Sequence, residues 1–275
     1  MVNSGEVKFG YALELRIMKT ASNWRLLPDL ESLSAVFGSL DDVFRLQGEH
    51  ITGDRISDVI RVEHAGIRYY VKRYRLAGKG LRRFLGKPRV QSEWENLMWF
   101  ARHGIPAAQV VAYGMERRCG LFRRGALITQ EIPRTRDLAD IARSNDPRLS
   151  DSRWVRHVSR QAANALRIMH AQHFIHGDFK WRNLLVDDQG KLFLIDCPLG
   201  AFWHGRLFEH RVLKDLASLD RVARYKLRCS QRLRFYLQYA QKERLDEDDK
   251  AFLRKYAQRR DRRVSSFAPD RARGD

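Results

Sequence analysis

Between residues 43 and 74, short runs rich in β-branched and aromatic residues dominate, notably Ser57-Asp58-Val59-Ile60-Arg61-Val62 and Ile67-Arg68-Tyr69-Tyr70-Val71-Lys72. With His64-Ala65-Gly66 between them as a hairpin turn, this zone is predicted to be an antiparallel sheet. The period then changes. Val90, Trp94, Leu97, Met98 and Ala101 fall at i, i+4, i+7, i+8 and i+11, which predicts a helix over about 90–103 stopped by Gly104 and Pro106. Two strand-like runs follow, near 107–113 and 125–130. Beyond Pro133 the pattern turns helical: about 137–143, then 152–170 with Val155, Val158, Ala162, Leu166 and Met169 on one face, and again from 212 onward. Sheet first and helices second predict an α+β, two-lobed chain: an antiparallel-sheet N-lobe with one helix (43–130), a hinge (131–135) and a mostly helical C-lobe (136–258). An N-terminal extension (1–42) and a basic, frayed tail (259–275) flank the lobes, with no internal repeat or linker.

Composition narrows the class. A chain of 275 residues with 44% hydrophobic positions can bury a real core. Three cysteines, Cys119, Cys197 and Cys229, are odd in number and form no C-x-x-C pair, which argues against a disulfide framework or a zinc site and for a reducing compartment. No window approaches the roughly 18 apolar residues of a membrane span, and Glu6, Lys8 and Glu14 interrupt the N-terminus where a secretory signal would be apolar. Met18 offers a second start. The expectation is a soluble or peripheral protein on the cytoplasmic side.

The formal charge is +19, and it is unevenly placed: residues 65–92 carry nine Lys or Arg and no acid, and residues 221–275 carry 17 basic against 8 acidic residues. Such a field attracts polyanions. Nucleic acid, anionic lipid headgroups and phosphorylated glycolipid are all candidates, beside the plainer reading of a solvated basic surface.

The candidate chemistry lies in His176-Gly177-Asp178-Phe179-Lys180-Trp181-Arg182-Asn183-Leu184-Leu185, followed by Leu194-Ile195-Asp196-Cys197. Phosphoryl transfer needs phosphates neutralised, Mg²⁺ held and an acceptor hydroxyl aimed at a carboxylate. Asp178 is suited to take the hydroxyl proton, Asn183 and Asp196 offer oxygen donors to Mg²⁺, and Lys180 is a point charge for the γ-phosphate. Each could singly be a turn or strand-end residue; the set at this spacing favours an ATP-dependent kinase.

H-G-D-F-K-x-x-N followed by I-D resembles the catalytic and metal loops of the eukaryotic-like protein kinase superfamily, and the Trp181-Arg182-Asn183-Leu184-Leu185 form is similar to the bacterial lipopolysaccharide kinase (WaaP-like) family, which phosphorylates heptose or Kdo sugars of the core. The resemblance extends over about 43–224. It implies a protein-kinase-like fold, ATP and Mg²⁺ as cofactors, Lys72 on the α- and β-phosphates, and a helix carboxylate paired with that lysine. Glu93 lies nearer the apolar stripe of its helix than Glu95 and is the better partner. Glu131 and Ile132 match the hinge, where backbone groups meet adenine. Asp215 matches an acid that braces the catalytic loop, with a solvated helix-start acid as the equal alternative.

Departures from that pattern bear on the acceptor. No G-x-G-x-x-G covers the phosphates; Gly48 and Gly53 leave the turn 47–54 as the lid. Asp196 is followed by Cys197 and Pro198, a stiff segment, and no A-P-E platform for a peptide precedes residue 212. A sugar hydroxyl of the lipopolysaccharide inner core is therefore expected as acceptor, at the anionic cytoplasmic face of the inner membrane, with nucleic acid the disfavoured partner. An aminoglycoside-type small-molecule kinase, a Ser/Thr/Tyr protein kinase and a basic pseudokinase module are the alternatives. His176 fits a packed loop residue better than a catalytic one, Trp99 reads as helix packing, and Trp181 and Trp203 are the candidates for stacking on a sugar.

Overall fold

A computed structural model describes residues 20–78 and 86–254; the possible second start at Met18 and the basic tail 259–275 lie outside them. In chain order the elements are β1 (Thr20–Ser22), β2 (Arg25–Leu26), α1 (Ser34–Phe37), α2 (Leu40–Arg45), β3 (Glu49–Gly53), β4 (Ser57–His64), β5 (Ile67–Tyr74), α3 (Arg89–Arg102), β6 (Val110–Arg118) and β7 (Leu121–Gln130). The second lobe follows with β8 (Arg136–Asp137), α4 (Leu138–Arg143), α5 (Ser152–Ala171), β9 (Phe174–Ile175), β10 (Leu184–Val186), β11 (Leu192–Leu194), β12 (Ala201–Phe202), α6 (Gly205–Lys226) and α7 (Cys229–Ala240).

The first lobe is an antiparallel sheet in the order β1-β6-β7-β5-β4-β3, with β2 also on β6. Its hairpin β4–β5 turns through Ala65 and Gly66, at φ 52° and 76°, the left-handed pair of a tight hairpin. Strand alternation then sorts β5: Tyr69 and Val71 face a core built with Leu33, Phe37, Leu40 and Val43, while Tyr70, Lys72 and Tyr74 face the other way. Residues 33–43 thus cover the back of the sheet. Ser39 caps α2 by accepting the Asp42 amide, which starts the helix there.

The front face continues into the second lobe. Tyr74, Val90, Trp94 and Leu97 share one core with Phe174, Leu166 and Met169, joined where Trp99 stacks on Phe174 at 4.5 Å. Trp99 is therefore packing. The apolar stripe expected for 152–170 is the buried face of α5.

Three expectations need correction. The strand near 107–113 begins only at Val110, because Ala108 N–H donates to Leu194 O at 3.0 Å and Leu194 N–H to Pro106 O at 2.9 Å, which ties this segment to β11 in the second lobe. The strand near 125–130 begins at Leu121, its first half buried only in part and held by ion pairs: buried Glu116 accepts from Arg123 and Arg124, both at 2.6 Å, so no buried apolar stripe marks it. Residues 47–54 are not a turn. They contain edge strand β3, which hairpins onto β4, and the turn is 54–56, where Asp54 Oδ1 accepts from the Ile56 and Ser57 amides. Gly48 is required by crowding, since a Cβ there would come within 2.5 Å of Arg61 O.

Candidate active site

Three supports converge on one cleft: β5, α3, and the loops on either side of the β10–β11 hairpin. Lys72 stands near the end of β5, its Nζ 3.0 Å from both Glu93 oxygens and 2.5 Å from Asp196 Oδ1. Glu95 pairs instead with Lys87 on the outside of the helix. Glu93 is buried and also accepts from the Tyr74 hydroxyl. Burial alone would lower the Lys72 pKa, but Glu93, Tyr74 and Asp196 outweigh it and hold the ammonium well above its usual range. Burial pushes the Glu93 carboxyl up, against the pull of Lys72. Burial would also raise Asp196, yet contact with Lys72 more than offsets this and keeps its carboxylate low.

The register Leu184↔Leu194 and the bond from Ile195 N–H to Asn183 O at 3.0 Å place Asn183 beside Asp196. Asn183 is buried, and its Nδ2 donates to Asp178 O at 2.9 Å. That bond fixes the amide so that its oxygen is the group left to a ligand. Asp178 is flanked by cations, Lys180 on Oδ1 and Arg182 on Oδ2. The six residues Lys72, Glu93, Asp178, Lys180, Asn183 and Asp196 thus form one connected arrangement. Asp196 sits at φ 58°, a left-handed conformation uncommon outside glycine and one that aspartate adopts more readily than most residues.

The surroundings hold this loop from below. Asp215 is fully buried, accepting the His176 amide at 2.8 Å and the Gly177 amide at 2.9 Å, so the bracing alternative is the one found. Asp215→Ala is expected to cost about 2–4 kcal/mol, from two buried amides left unpaired, and to lower kcat together with Tm. A Tm within a degree of wild type in a thermal melt would refute the brace. His176 is fully buried between Phe100 and Phe179, and that burial pushes its imidazole down; it packs.

Asn96, which the sequence did not single out, donates from α3 to Cys197 O at 2.7 Å and Gly200 O at 3.1 Å, tying the helix that carries Glu93 to the segment after Asp196. Gly200 permits this approach, since a Cβ there would lie 2.6 Å from Cys197 Sγ. Burial pushes the Cys197 thiol well up, so it is inert.

Two expectations fare differently here. Trp181 is buried and donates from its indole to Leu219 O at 2.8 Å, so it is packing and presents no face to a sugar. Trp203 is half-buried, with the Arg211 guanidinium 3.5 Å from its ring centroid. At the hinge, Glu131 N–H donates to Arg68 O at 2.8 Å and Ile132 O accepts from Thr135 Oγ1 at 2.8 Å; the Glu131 carboxylate meets Tyr70 and Arg68. Those side-chain contacts stay within the first lobe.

A family model described as the lipopolysaccharide kinase (Kdo/WaaP) family matches residues 46–256. Among curated proteins, 3-deoxy-D-manno-octulosonic acid kinase of Vibrio cholerae is 27% identical over 110 residues, 40% of this chain and 43% of that protein. The B1 kinase of Monkeypox virus is 30% identical over 115 residues, 41% of this chain and 36% of its own length. The chain thus spans less than half the length of either curated relative. Among solved structures, WaaP in complex with acyl carrier protein superposes with a TM-score of 0.68 at 20% identity, covering 87% of this chain and 98% of that one, which shows the two-lobed kinase fold.

Proposed function

The chain belongs to the lipopolysaccharide kinase (Kdo/WaaP) family, hence to the phosphotransferases, and from that premise we propose that it transfers the γ-phosphate of ATP to a sugar hydroxyl, of heptose or Kdo, in the lipopolysaccharide inner core. The observation that carries this reading is the meeting of Lys72, Asp178, Asn183 and Asp196 in one cleft.

Oxygen donors suit a hard cation such as Mg²⁺, and the amide oxygen of Asn183 with the carboxylate of Asp196 supplies two of them. Among the described residues no group of three or more His, Cys, Asp or Glu could hold a metal alone, so such an ion would share these two residues with phosphate oxygens. When bound, Mg²⁺ would neutralise charge developing on the phosphates. Lys72, kept charged by its carboxylate neighbours, serves the α- and β-phosphates. Asp178 orients the acceptor hydroxyl and takes its proton, while Lys180 alongside meets the transferred group.

A sugar acceptor fits the short stretch between Asp196 and α6, which leaves little room for a peptide platform. The +19 charge favours an anionic glycolipid at the cytoplasmic face of the inner membrane over a cationic aminoglycoside. No helix among the described residues is long and apolar enough to cross a membrane, so attachment there would be peripheral. Radiolabelled γ-phosphate offered with inner-core glycolipid, an aminoglycoside and a generic protein substrate tests the acceptor class. Label is expected on the glycolipid; label confined to either of the others would overturn the proposal.

A further inference from the structure

Of the eight large hydrophobic side chains exposed among the described residues, three, Leu199, Phe202 and Leu207, fall within nine consecutive positions. Exposed apolar residues scattered singly carry no message, but a cluster marks a contact surface. This cluster borders the cleft. A Cβ added at Gly177, between His176 and Asp178, would come within 3.1 Å of Leu199 Cβ, and β12, which carries Phe202, pairs with β9 immediately before His176.

Cations lie along the same stretch and in the neighbouring loop. Arg206 is exposed beside Leu207 at the start of α6, Arg211 lies over Trp203, and Arg182, 63% exposed, stands four residues from Asp178. Glu209 is the one acid in residues 199–211. We infer that residues 199–211 form a membrane-docking face, with Phe202, Leu207 and Leu199 seated among the headgroups of an anionic leaflet and the arginines on lipid phosphates.

Exposed apolar side chains interspersed with arginine are what an interfacial lipid contact requires. The chain's surplus of positive charge strengthens it, and the site's own loop is the neighbour of the patch. The inference rests on the reading of the acceptor as a membrane glycolipid, and it assigns the surface that brings Asp178 to that acceptor.

The test uses the full chain, sedimented with phosphatidylethanolamine–phosphatidylglycerol vesicles or with phosphatidylcholine vesicles. Wild type is expected to bind the anionic vesicles, less so as salt rises, and Leu207→Glu and Arg206→Glu each to lose roughly tenfold in association. Both variants should phosphorylate a water-soluble, deacylated core oligosaccharide at the wild-type rate. If Leu207→Glu misfolds by thermal melt, Arg206→Glu decides, being a charge change on an exposed first turn. Vesicle binding equal to wild type in the folded variants overturns the docking face. So does intact vesicle binding with lost binding to an acidic carrier protein, which would assign the patch to a protein partner. If wild type and variants alike leave the oligosaccharide unlabelled while differing on vesicles, the acceptor reading falls and the docking face stands.

Discussion

Asp178→Asn is expected to lower kcat by about 10²–10⁴-fold, the usual worth of a positioned general base, which corresponds to roughly 3–5.5 kcal/mol on the barrier. The substitution keeps the shape of the side chain and removes its capacity to take a proton. The Asp178 carbonyl still receives the Asn183 amide, so the loop keeps its geometry. Lys180 and Arg182 lose an anionic partner, but both reach solvent, and stability should move by less than about 1 kcal/mol. The KM for nucleotide should hold, because the role proposed for Asp178 is on the acceptor hydroxyl and not on the nucleotide. Steady-state kinetics with a thermal melt on the same preparation check all three expectations. A variant with wild-type kcat would remove Asp178 from the chemistry.

That prediction could be written from the sequence alone, and the reason is physical. A base, a lysine two residues on and an asparagine five on must sit on one short loop, so their spacing is local and survives in the linear text. Lys72 was legible only through the resemblance, since alone it reads as a solvated lysine on a basic strand, and Glu93 through the resemblance together with the apolar stripe of α3. Asn96 was not. It looks like an ordinary polar helix position, and only its partners, 101 and 104 residues away, explain why it is buried. Trp181 misled for the same reason, since its indole finds Leu219 O 38 residues downstream. The exposed β3 and the arginine-rich end of the β6–β7 hairpin carry no buried stripe, so periodicity could not announce them. Their pairing comes from the sheet edge and from ion pairs such as Arg61–Glu49.

Lys72→Met should separate two roles that the wild type combines. Removing one partner of a buried pair leaves an uncompensated charge, typically costing about 3–5 kcal/mol, and of the two carboxylates left behind here Glu93 is the more deeply buried, its side chain 5% exposed against 34% for Asp196. Its cost depends on pH. Burial already pushes the Glu93 carboxyl up, and without the ammonium it rises further, so the folded variant holds a proton there that the unfolded chain releases near the ordinary carboxylate range. Stability from that proton is present below the unfolded pKa and is lost as pH rises through the folded one. The Tm deficit of Lys72→Met against wild type should therefore grow from about pH 5 to pH 8. Adding Glu93→Gln removes the stranded charge and should recover most of the deficit, with its pH dependence gone. Activity should not return with it, since no ammonium then meets the phosphates or balances Asp196. Phosphotransfer restored in the double variant would confine Lys72 to holding the fold; stability restored without phosphotransfer gives it a part in the reaction as well.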